Sequence, residues 1–188
     1  MSEGGIQVGV AGTRAGAITG EWHAPAAILI DEAAVRSALS EVMDPELPML
    51  SVVDLGIVHR VGIAPNDGPI TVEILPTFVG CPALELIKAA IATRIAAFGR
   101  PVEVVATFEV PWTSERISPA GRAALEAAGI APPGPTTQTT LIDLEARVPC
   151  PHCGSRRTRL DNAFGPTQCR TIRYCTDCRQ PFEAIKPV

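Results

Sequence analysis

The apolar positions of this chain fall into short runs, each with its own period. Behind Asp31, which can cap a helix, Ala34, Val35, Ala38, Leu39 and Val42 recur at helical spacing. Pro45 and Pro48 stop that helix and leave the loop Asp44-Pro45-Glu46-Leu47-Pro48. Ile57, Val61 and Ile63, then Ile70, Val72 and Ile74, alternate on either side of Pro65-Asn66-Asp67-Gly68-Pro69, which predicts a hairpin. Thr77-Phe78-Val79-Gly80-Cys81-Pro82 opens a second helix with Leu84, Ile87, Ile91, Ile95 and Phe98 along one face and Gly99 at its end. Val102, Val104, Ala106, Phe108 and Val110 alternate with Glu103, Thr107 and Glu109, predicting a strand to residue 110. Ser118-Pro119 reads as N-cap and first helical residue of a short helix closed by Gly129.

Helices and strands that do not strictly alternate favour a small α+β domain, here residues 28–130 including the trailing helix. Residues 1–27 read as a mobile tail, 131–146 as a linker, and 147–188 as a separate cysteine-rich module. With 46% hydrophobic residues among 188, a core can form; with 4% aromatics, that core is aliphatic and broad base-stacking platforms are disfavoured. No stretch approaches the roughly 20 apolar residues of a membrane span. The first thirty residues carry no continuous apolar segment of the secretory kind, so a cytoplasmic protein is expected.

Charge and cysteines divide the chain at the same place. Residues 1–146 hold 8 Lys/Arg against 17 Asp/Glu, a net of −9, whereas residues 147–188 hold 8 against 3, a net of +5. Such asymmetry predicts two modules with different partners. Cys81 stands alone, while Cys150, Cys153, Cys169, Cys175 and Cys178 crowd the end. Two C-x2-C knuckles, Cys150/Cys153 and Cys175/Cys178, lie close to zinc-ribbon spacing, which predicts one structural zinc held by four thiolates. Cys169 is read first as a small buried side chain, although a fifth thiol keeps an iron site or Fe–S cluster open. The basic ribbon suits an acidic protein face better than nucleic acid, given the acidic first half.

Cys81 precedes Pro82, and a proline at the first helical position would make Cys81 the N-cap, where free N–H groups favour the thiolate. The loop acids Asp44 and Glu46 would push its pKa the other way unless a cation shared the site. Thr77 closes the hairpin nearby.

The runs MDPELPMLSVVDLGIV and TVEILPTFVGCPALELI closely resemble the iron–sulfur-cluster-assembly (FSCA-like) domain family over residues 30–112. With PWTSERISPAGRAALEAAGIAPP and CPHCGS…FGPTQCRTIRYCTDC added, the whole is similar to the D-subunit family of bacterial phenylacetyl-CoA epoxidase systems. The resemblance implies an FSCA-like domain with Asp44, Glu46, Thr77 and Cys81 around one pocket, plus a zinc-ribbon tail. It also implies maturation of the oxygenase's metal centres, with iron or an Fe–S cluster in transit and oxygenase or reductase subunits as partners. The alternative is an integral, non-catalytic subunit of that oxygenase. An enzyme using Cys81 as nucleophile is weakened by its histidines, since only His23, His59 and His152 exist and His59 falls inside a strand.

Overall fold

The computed structural model describes residues 30–134 and 148–187. The tail expected over 1–27 and most of the linker expected over 131–146 lie outside the described residues.

Helix α1 (Glu32–Leu39) starts where Asp31 accepts the Ala34 N–H at 2.7 Å and buries Val35, Ala38 and Leu39. The chain then doubles back. A bridge between Met43 and Ser51 and the bond from Asp44 N–H to Leu50 O, 2.9 Å, tie the neck of the proline-stiffened loop. Strands β1 (Val58–Ile63) and β2 (Ile70–Ile74) form the antiparallel hairpin, with a bulge at His59 between Val58 and Arg60. Helix α2 (Leu84–Ala96) buries Ile87, Ile91 and Ile95 and returns the chain to β3 (Val102–Ala106), which pairs parallel with β2. The sheet order is β1-β2-β3, with α1 packing on α2 and β1, and α2 on β3.

The strand expected to reach residue 110 stops at Ala106, because β2 ends at Ile74, its last partner, and leaves nothing further to pair with. Phe108 and Val110 are consequently exposed. A 3-10 turn (Ser114–Arg116) leads to helix α3 (Pro119–Ala127), capped by Ser118, whose side chain accepts the Gly121 N–H at 2.9 Å. Asp54 holds this segment down, accepting the Ser118 hydroxyl at 2.6 Å.

The cysteine-rich module is a sheet of β5 (Thr158–Asn162), β6 (Arg170–Cys175) and β7 (Pro181–Ile185), joined by β4 (Ile130–Ala131) in the order β4-β7-β6-β5. β4 follows α3 directly and pairs parallel with β7, Ile130 opposite Glu183 and Ala131 opposite Ala184. The position expected to begin a linker is therefore a strand. Ile130 and Ile185 belong to the aliphatic core of the first domain, while Ala131, Val148, Phe182 and Ala184 pack with Cys150 and Cys175 in the ribbon. The two cores abut through this short strand pair.

Candidate metal centres

The two knuckles bring four sulfurs together. Gly154, with φ +71°, lets the first knuckle close so that its N–H reaches Cys150 O at 2.8 Å. In the second knuckle Arg179 takes the same left-handed region, with φ +60°, and Cys175 N–H bonds to Gln180 O at 3.0 Å. Asp177 accepts from Ser155 and pairs with Arg157, linking one knuckle to the other. The Sγ atoms of Cys150, Cys153, Cys175 and Cys178 all lie within 4.8 Å of one another, and Cys150–Cys178 and Cys153–Cys175 are each 3.7 Å apart. A tetrahedral ion with metal–sulfur bonds of about 2.3 Å requires sulfur–sulfur separations of about 3.8 Å, so the donor set fits such an ion. The thiols pull apart electrostatically: the N–H of Cys178 lowers Cys175 to about 7, whereas burial pushes Cys178 up to about 12. Four thiolates at one point need a cation to coexist. His152, between the first two ligands, is exposed.

A second cluster forms at the seam between the modules. Asp44, Glu46, Thr77 and Cys81 line one cavity of about 20 Å³, room for one water or ion, walled by aliphatic side chains and Trp112. Trp112 is anchored by its Nε1–H donating to Leu55 O at 3.0 Å. The ribbon contributes to the same cavity: Cys169, on the turn before β6, and Ile185, on β7, complete its lining. Sequence reasoning gave Cys169 no part in this pocket. The signal available was the fifth thiol itself, but its position depends on how the ribbon docks, which no local spacing encodes.

Asp44 is buried, 6% exposed, and its Oδ1 accepts the N–H groups of Glu46 and Leu47, both at 2.8 Å. Burial pushes its carboxyl above the usual value, against those two bonds and the Arg170 charge. Glu46 is raised by burial and then by Asp44. Burial also raises the Cys81 thiol; the Ala83 N–H works against this, and Glu46, Asp44 and Cys169 add to it.

This corrects the expectation of a thiolate-favouring N-cap. The N-cap of α2 is Ala83, and Cys81 precedes it in a turn where Leu84 N–H donates to Cys81 O at 3.2 Å. Helix-end stabilisation therefore does not reach Cys81 with the strength that the proline implied, and its surroundings favour the neutral thiol.

Residues 32–106 match the family profile "Iron-sulfur cluster assembly protein", and residues 134–186 match "PaaD zinc beta ribbon domain". Over 153 residues the chain is 36% identical to the D-subunit protein of Escherichia coli (strain K12) named "Putative 1,2-phenylacetyl-CoA epoxidase", covering 81% of this chain and 90% of that one. A 64-residue stretch is 39% identical to the iron-sulfur cluster carrier protein of Mycobacterium tuberculosis (strain ATCC 25618 / H37Rv), covering 34% of this chain and 16% of the carrier. A solved domain of unknown function, DUF59, from Bacillus anthracis is 28% identical with a TM-score of 0.47, covering 50% of this chain and 90% of that one.

Proposed function

The chain belongs to the D-subunit family of phenylacetyl-CoA epoxidases, and from that premise we propose that it matures the metal centres of the ring-epoxidising oxygenase of phenylacetate catabolism. The observation that carries this reading is the seam cavity, where a thiol, two carboxylates and a threonine of the assembly domain surround space for one ion. An iron ion, alone or within an Fe–S cluster, is the cargo, and Cys81 is its transient ligand. Binding displaces the Cys81 proton to solvent, and the negative charges that raise the thiol's pKa then hold the cation instead. Release is the reverse: reprotonation of a thiol that burial already favours as neutral. Among the described residues no histidine lines the cavity, which suits a carrier better than an acid–base catalyst.

Zinc is the resident ion of the ribbon in this reading, held by Cys150, Cys153, Cys175 and Cys178. When bound, it serves as a structural cross-link and performs no chemistry. Oxygenase or reductase subunits in the cytoplasm are the clients.

Cys81→Ser tests the proposal. The variant is expected to keep its fold and ribbon zinc, yet lower the amount of active oxygenase formed in cells. Oxygenase assembled beforehand should turn over equally well with either protein. Full maturation by the variant would refute the assembly role; loss of turnover in the preassembled complex would instead make this chain an integral subunit.

A further inference from the structure

The ribbon reaches the turn that carries Cys81. Cys81 N–H donates to Phe78 O at 3.2 Å, closing a turn over residues 78–81. Lys186 Nζ, just beyond β7, stands 5.8 Å from the centre of the Phe78 ring and 5.0 Å from that of Phe164, so its ammonium joins an aromatic ring of each domain. Cys169 and Ile185 are walls of the cavity that Cys81 lines. These ribbon residues move as one piece: Lys186 N–H donates to Cys169 O at 2.9 Å, and Lys186 Nζ donates to Gln168 O at 2.6 Å.

The same piece depends on the knuckles at its other end. β6 and β7 pair from Tyr174 opposite Pro181, beside the second knuckle, to Arg170 opposite Ile185, beside the cavity. Cys175 ends β6, and its N–H bonds to Gln180 O to close the turn. Cys150 and Cys175 are also two members of the small ribbon core, so a cation shared by the four thiols holds the hairpin and that core together. The attachment to the first domain is slight by comparison. β4 offers β7 only Ile130 and Ala131, and among the described residues after 147 Ile185 alone joins the first domain's buried core.

We propose that the ribbon is a metal-dependent cover for Cys81, which lies over the thiol's cavity while the knuckles hold zinc and lifts away when they are empty. This cover is independent of what Cys81 carries, because it governs access to the sulfur and not what binds there. Burial holds the Cys81 thiol above its ordinary range, and Cys169 adds to the effect, so the contacts that hinder approach also keep the sulfur in its less reactive protonated form. The coupling runs both ways: whatever engages the uncovered Cys81 weakens the ribbon's hold on its metal.

The test is the rate at which iodoacetamide alkylates Cys81 in the full-length reduced protein, followed peptide by peptide by mass spectrometry so that the ribbon thiols do not enter the signal. Stripping zinc with EDTA is expected to raise that rate about 10–100-fold, the population ratio that burial of one Ile side chain sustains. Restoring zinc should return the slow rate. Ile185→Ala and Lys186→Ala, each with zinc held at one per chain, should raise it part of the way. Hydrogen exchange in the same samples separates lifting from unfolding: in the stripped protein the opening that exposes Cys81 should be far more populated than the one that exchanges the α2 amides. An unchanged Cys81 rate on stripping would overturn the cover, as would wild-type rates in both zinc-loaded variants. A single opening for Cys81 and α2 would overturn it too, because the sulfur would then be reached by unfolding of the first domain.

Discussion

Removing the ribbon's metal is expected to weaken the first domain as well. The ribbon core consists of Ala131, Val148, Cys150, Cys175, Phe182 and Ala184, too few apolar side chains to fold some forty residues unaided. Cys175→Ser, which breaks the four-thiol site, should therefore unfold it. Ile185 leaves the first domain's core with it, from a position only 3% exposed. The three carbons by which Ile exceeds Ala are worth about 2.4 kcal/mol at about 0.8 kcal/mol each, and the residual hole brings the expected loss to about 2–5 kcal/mol. Ile185→Ala in the zinc-loaded protein isolates that contribution and should fall in the same range. The assay is hydrogen exchange of β2 and α2 across a urea series, which reports the first domain's own unfolding free energy. An unchanged free energy in Cys175→Ser, with the ribbon visibly unprotected, would refute the claim that the seam shares stability.

Two further outcomes follow from individual side chains. Asp44→Asn should stabilise the empty protein at neutral pH. The native carboxyl has a raised pKa, so the native state holds its proton more tightly; wild-type stability falls as pH climbs from the usual 3.8 through that raised value. Urea midpoints of the two proteins should converge below about pH 4 and separate above it, and a wild type more stable than the variant at neutral pH would contradict this. Gly56→Ala should cost at least about 1–3 kcal/mol of unfolding free energy, because Gly56 has φ +72° and an added Cβ would lie 2.3 Å from the backbone oxygen of Arg116.

Much of the fold was legible because its signals are local. Asp31 and Ser118 cap the helices they were expected to cap, since a short polar side chain before an apolar-periodic run satisfies N–H groups only three residues away. The ribbon was legible for the same reason: a C-x2-C knuckle converges two thiols whatever surrounds it. Phe108 and Val110 misled because alternation marks a face to be buried but does not guarantee a neighbouring strand. Cys81 misled by two residues, as the turn at Pro82 delays the first helical residue to Leu84. Cys169 was illegible as a cavity residue. Its place depends on β4 pairing with β7 across more than fifty residues of chain, a tertiary outcome that neither periodicity nor spacing records.

The position of Ile185 also sets an order of events during biosynthesis. The first domain's own strands and helices are complete in the growing chain at Ala127, yet Ile185 joins its core only 58 residues later. At about 5–20 residues per second that is a delay of roughly 3–12 s, and Cys169 is made only in its later part. A nascent or prematurely terminated chain thus carries Cys81 and its acids with the ribbon wall missing. Only a chain made through Ile185 has every residue that lines the cavity.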